Sequence, residues 1–176
     1  MSTLTLDNLL AEYDRSLRYT SDLVADLTPD QIAWRPHAES SAIGWHLGHQ
    51  AAVAHYMVRN LTAAEPGIDA ELDQLMDSAT PEAERELPDV SRILDYRAAV
   101  AERVRFRIGA IEEGNVGAPA QLRVIAQGLL VAVINHEYQH SKWIGEVRSD
   151  QHGKDLPDDP DSSWLSLLDG YLTIVA

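Results

Sequence analysis

The sequence predicts an all-α protein: a four-helix bundle with a long crossover and a short C-terminal helix, forming one domain over 1–176. Three observations predict it. Four long stretches repeat their apolar residues at the 3.6-residue helical period. No run of alternating β-branched residues stands outside them. A proline-punctuated acidic segment separates the second stretch from the third and is too long for a tight helix–helix turn.

Taken in order, Leu6, Leu10, Tyr13, Leu17, Val24 and Leu27 predict an amphipathic first helix from Leu4 to about Leu27. Thr28-Pro29-Asp30-Gln31 reads as a new helix start, with Thr28 as cap, Pro29 in the first turn and Gln31 reaching back to the cap. Pro36 keeps Arg35 out of helical dihedrals and ends that turn. Ser40-Ser41 is expected to cap the second long helix, Ala42 to about Leu61, which carries Ile43, Leu47, Ala51, Ala54, Val58 and Leu61 on one side. Between Ala64 and Asp89, Pro66-Gly67, Pro81 and Pro88 break an acidic segment that reads as a crossover with short helical turns. The third helix is expected from about Val90 to Glu113, with Ile93, Arg97, Val100, Val104, Ile108 and Ile111 on its face and Gly114 near its end. The fourth opens at Gly117-Ala118-Pro119 and runs to about Arg148. After a polar loop from Asp150 to Pro160, Ser162-Ser163 is expected to cap a short helix through Leu168 to Tyr171.

Fourteen basic against twenty-eight acidic residues give a net charge of −14, which repels phosphate backbones and anionic lipid surfaces. Nucleic acid and membrane are therefore not expected partners. Without cysteine there are no disulfides, thiolate ligands or thiol nucleophiles, so a metal site must be built from His, Asp and Glu, and any thiol must be brought in. Residues Met1 to Asp7 have neither a basic nor an apolar leader region, and the longest apolar run, Leu129 to Ile134, cannot span a bilayer. A cytoplasmic location is the expectation.

The fourth helix carries Asn135-His136-Glu137-Tyr138-Gln139-His140. His136 and His140, four residues apart, project from one face and can grip one ion. They fall on the stripe Leu122, Ala126, Leu129, Val133, His136, His140, Trp143, Val147, where core residues are expected. Histidines hydrogen-bonded within a core would occupy the same positions, so a third ligand decides between the two readings. The second helix carries His46 and His49 on a stripe beside its apolar face, about 60° apart around the axis, and either could be that ligand. Three neutral imidazoles would leave a coordination position open, as in a catalytic site. Glu137 and Tyr138 turn away from His136 by about 100° and 200°, so spacing identifies no catalytic base. Arg97, an arginine on an apolar stripe, reads first as a snorkelling or salt-bridged residue and is also a candidate to meet a substrate carboxylate.

Ser41-Ala42-Ile43-Gly44-Trp45-His46-Leu47-Gly48-His49, followed by Asn135-His136-Glu137-Tyr138-Gln139-His140, resembles the DinB-like superfamily, and Trp34-Arg35-Pro36 is similar to it as well. The resemblance implies an up-up-down-down bundle whose metal triad is His49, His136 and His140, with His46 lining the pocket or supporting a ligand. It implies a divalent ion, Zn²⁺ foremost with nickel or iron as alternatives, and a thiol-dependent transferase or isomerase, or a hydrolase, acting on a small molecule. A low-molecular-weight thiol is the implied co-substrate. Family members without known activity leave a non-catalytic, stress-related binding protein as the alternative. The larger second domain of the family's sulfoxide synthases is missing from this sequence. Trp45, Tyr56 and the aromatic segment Trp164 to Tyr171 are expected to supply a homodimer contact.

Overall fold

The computed structural model describes residues 4–59, 61, 66–76 and 86–175. Among these the elements follow the order α1 (Leu6–Val24), α2 (Pro29–Ala33), α3 (Ile43–Arg59), α4 (Ala70–Met76), α5 (Val90–Glu112), α6 (Pro119–His152), β1 (Leu165–Leu168) and β2 (Tyr171–Ile174). The protein is mostly helical, with one small hairpin. None of the described helices is long and apolar enough to cross a membrane.

Local chemistry explains most boundaries. Thr5 caps α1 in a reciprocal box with Asn8, so the helix begins at Leu6 rather than Leu4. Thr28 and Gln31 form the expected box at the start of α2, with Pro29 in the first turn. Ser40 does not cap α3. Its hydroxyl accepts from the His37 N–H and donates to the His37 carbonyl, closing the preceding turn, and α3 starts at Ile43. Asp69 caps α4 through the amides of Glu71 and Leu72, which makes α4 the one described helical turn of the crossover. Pro81 and the acidic residues Asp77, Glu82 and Glu84 of that segment lie outside the described residues. Asp89 caps α5, and Gly114, at φ 76°, turns the chain out of it. α6 runs one turn past Arg148, to His152, where Gly153 at φ 62° lets its amide and that of Lys154 bond the last carbonyls.

The four long helices pack side by side around one apolar core that includes Leu9, Ile43, Leu47, Ile93, Val104, Ile108, Leu130 and Ile144. Their directions are read from cross-helix bonds. Gln127 bonds the Leu4 carbonyl at one end of the α1–α6 pair and Arg148 bonds the Leu23 carbonyl at the other, so α1 and α6 run the same way. His46 meets His140 while Gln50 meets the Glu137 carbonyl, so α3 runs against α6. Arg105 pairs with Asp14 while Arg97 meets Glu137, which also accepts from Thr20, so α5 runs against α1 and hence in the direction of α3. The order is up-down-down-up, which corrects the up-up-down-down expectation. The reason is the number of long connections: up-up-down-down needs two crossovers, and this chain has one, between α3 and α5.

The C-terminal segment corrects a second expectation. It forms no helix: Leu165 pairs with Ile174 and Leu168 with Tyr171 in an antiparallel hairpin. Asp169 at φ 50° and Gly170 at φ 83° make the two-residue turn, whose backbone twist suits an Asp-Gly pair. Ser162 accepts from the Trp164 amide and donates to Glu12 instead of starting a helix. The hairpin docks on α6, where the Asn135 side chain donates to the Ile174 carbonyl and accepts its amide at 2.7 Å.

Candidate metal centre

α3 is buried on nearly every side, because α2, α4, α5 and α6 all pack on it. Two glycines permit this. A Cβ on Gly44 would sit 2.5 Å from Leu87 Cδ2, and one on Gly48 would sit 2.6 Å from Met76 Sδ. The second approach matters for the site, since the Met76 carbonyl accepts from His49 Nδ1 at 2.6 Å. That bond fixes the His49 tautomer and leaves Nε2 with its lone pair. Gly48→Ala forces the buried Met76 side chain aside. We expect it to cost about 1–3 kcal/mol by overpacking and to lower metal affinity through His49. Chemical denaturation and a metal titration of the same sample check both.

One nitrogen from each of His49, His136 and His140 lies within 4.8 Å of the other two, with His49 and His140 buried and His136 half-buried. The ring centroids are 5.1 Å apart for His49–His136, 4.9 Å for His49–His140 and 4.4 Å for His136–His140. His46 lines the same space and meets His140 Nδ1 through its own Nδ1 at 2.8 Å. One of these two nitrogens donates and the other accepts, according to tautomer, so His46 and His140 orient each other.

Burial drives the imidazole pKa values down. His46 falls to about 4 through burial and then the neighbouring His49 and His136. His136 falls to about 4 through burial and then His49. His140 falls furthest, through burial and then His136, His46 and His49. These three rings are therefore neutral at pH 7 and present lone pairs rather than protons. Nitrogen donors converging from two helices, one of them locked from behind by a carbonyl, fit a divalent cation.

A cavity of about 580 Å³ opens from His46, His49 and His140, walled by Trp45 and Trp143. Trp45 stacks on His49 at 4.5 Å and 12°, and Trp143 meets His140 edge-on at 4.8 Å. Trp45 is thereby buried and unavailable to a partner chain, whereas Tyr56 is half exposed at 51%.

Arg97 does not line this cavity. It pairs with the buried Glu137 of α6, and it also donates to Gln50 Oε1 at 3.0 Å and the Leu47 carbonyl at 3.4 Å. Glu137 accepts from Thr20 Oγ1 at 2.6 Å, and Gln50 donates to the Glu137 carbonyl at 2.8 Å. Gln50 follows His49 in the chain and Glu137 follows His136, so this network holds the two ligand-bearing helices at one height. The buried residues of α6 include Ala126, Val133 and His140 of the expected stripe, but the buried face extends past it through Leu130, Ile134, Glu137, Ser141, Ile144 and Arg148. Leu122, Leu129, His136, Trp143 and Val147 of that stripe are half-buried along its edge. The physical reason is the ion pair: Arg97 makes a core position habitable for Glu137.

Spacing alone missed Glu137, Gln50 and Thr20. A signal for the first existed, since an arginine interrupting one apolar stripe calls for an acid interrupting another. His55 was also missed. It bonds Asp73 at 2.7 Å, Tyr96 donates to the same carboxylate oxygen, and together they fasten α4, which supplies the Met76 carbonyl. His152 lies elsewhere, against the Gln31 carbonyl and Trp34.

No curated protein matches the chain. The family model described as the DinB superfamily matches residues 12–144. That span includes all three clustered histidines, His46 and Arg97, and it stops before the C-terminal hairpin. The chain belongs to the DinB superfamily.

Proposed function

We propose that this chain is a divalent-metal-binding protein built on a four-helix bundle, in which His49, His136 and His140 hold the ion. Zn²⁺ is the first choice, and nickel or iron are alternatives because all three accept imidazole. The activity we assign is that of a transferase, isomerase or hydrolase that activates a low-molecular-weight thiol or a water toward a small electrophile. One observation carries this reading: three imidazoles from α3 and α6 converge where a cavity of about 580 Å³ begins.

A divalent ion held by three neutral ligands keeps its full charge and supplies the Lewis acidity that makes a thiol or a water acidic near pH 7. The chain's own residues do the rest. Trp45 packs on His49 and Trp143 on His140, His46 steers His140, and the Met76 carbonyl steers His49. A non-catalytic binding protein is the second reading. What favours it is that Glu137, the carboxylate adjacent to His136, is held in its ion pair with Arg97 and is not placed as a base.

The acidic charge supports small-molecule rather than nucleic-acid or membrane partners, and we place the protein in the cytoplasm. A homodimer through Tyr56 and the aromatic hairpin remains part of the proposal. The test is metal analysis of the purified protein, followed by optical titration of the Co²⁺-loaded form with simple thiols. We expect one ion per chain and a new thiolate-to-cobalt band. Bound cobalt that no thiol perturbs supports the non-catalytic reading, and a protein that takes up no metal overturns both.

A further inference from the structure

We infer that the cavity beside the histidines takes a small aminothiol, a molecule with a thiol at one end and an ammonium group a short chain away. This rests on the reading of His49, His136 and His140 as a metal site and names what that site would select. The argument begins with the charge of the cavity's walls. Glu39, Glu146 and Asp150 stand exposed at its mouth, and none of the described residues lining it is a lysine or an arginine. A thiol carrying carboxylates meets like charge at this entrance, in a protein whose net charge is already −14.

The arrangement along α6 sets the ligand's shape. His140, Trp143, Glu146 and Asp150 follow one another along the cavity side of the helix. Glu146 is six residues beyond His140, so the two are displaced by about 9 Å along the axis. A donor atom near the imidazoles and an ammonium near Glu146 therefore belong to one small molecule. The indoles of Trp45 and Trp143 line the same cavity, and an aromatic wall accommodates a cation better than an anion. The cation nearest Glu146 is Lys142, at a loose 3.9 Å. Its ammonium also bonds the Gly170 carbonyl at 3.1 Å and lies 5.1 Å from the Tyr171 ring centroid, so the hairpin holds it. Asp150 accepts one bond, from the neutral Ser149 hydroxyl at 3.0 Å. Among the described residues that line the cavity, these carboxylates have no lysine or arginine beside them.

The experiment titrates the Co²⁺-loaded full chain with cysteamine, 2-mercaptoethanol and 3-mercaptopropionate, and reads each Kd from the thiolate-to-cobalt band. We expect cysteamine to bind about tenfold more tightly than 3-mercaptopropionate, with 2-mercaptoethanol between them, from the negative potential of the carboxylates at the mouth. The three thiols differ in acidity, so the deciding quantity is how that ratio changes on substitution. Glu146→Gln combined with Asp150→Asn should remove most of the preference without changing cobalt content or the Kd for 2-mercaptoethanol. Glu39→Gln, on the separate turn before α3, should reduce the preference independently. A ratio that both variants leave unchanged, or tighter binding of the carboxylate thiol by the wild type, overturns the inference while the metal reading stands. If none of the three thiols perturbs the cobalt spectrum, the thiol-activating reading fails and the inference fails with it.

Discussion

Replacing His49, His136 or His140 with alanine should abolish stoichiometric metal binding, whereas His46→Ala and His152→Ala should weaken it far less. Each of the three contributes a nitrogen within 4.8 Å of the other two, and a divalent ion left with two imidazoles competes poorly with free hydrated metal. His46 acts through His140, at 2.8 Å between their Nδ1 atoms, so its loss should cost on the order of tenfold to a hundredfold in affinity, as for other groups that orient a ligand. His152 bonds the Gln31 carbonyl beyond the cavity's end and should leave affinity unchanged. Metal per chain, measured by atomic emission after exhaustive dialysis, separates these cases. An empty His46→Ala protein beside a fully loaded His49→Ala protein would move the third ligand one turn along α3. Retention of metal by all three principal variants would reduce the histidines to core packing.

Arg97→Ala should destabilise the protein by about 3–5 kcal/mol, the cost of leaving a buried carboxylate without its cation. Glu137 is 2% exposed and Arg97 7%, so water cannot replace the lost partner without opening the core. A loss of that size is a large share of the ~5–15 kcal/mol that holds an ordinary domain together. Denaturant unfolding followed by circular dichroism measures it. The paired variant Arg97→Met with Glu137→Met should recover most of the stability, since it removes both charges. It should still bind metal less tightly than wild type, because Gln50 loses its Arg97 partner and α3 and α6 lose a polar tie beside the ligands. Equal metal affinity in the paired variant would show that packing alone sets the helix heights.

Much of this was written in local sequence. The 3.6-residue periodicity placed all four long helices, and the Thr28-Pro29-Asp30-Gln31 start was legible because a capping box needs only residues three apart. The His136/His140 pair could be read for the same reason, since its spacing is a property of one helix. The Asp169-Gly170 turn was equally local, yet the hairpin was missed, because its strands are only four residues long and Leu165–Leu168 carries no alternating pattern.

Tertiary structure decided the rest, wherever two distant segments had to meet. Spacing left His46 and His49 as equal candidates. Only the packing of α3 against α6, with Met76 reaching over Gly48, separates a ring that joins the triad from one that supports it. Arg97 could be read as a salt-bridged residue or as an anchor for a substrate carboxylate, and only the fold supplies the partner, Glu137. Helix direction was beyond the periodic signal, because an amphipathic stripe reads the same in both directions and only the contacts across the bundle orient it. A charge in a sequence is polar until a partner from another helix makes it part of the core, and that partner exists only once the chain has folded.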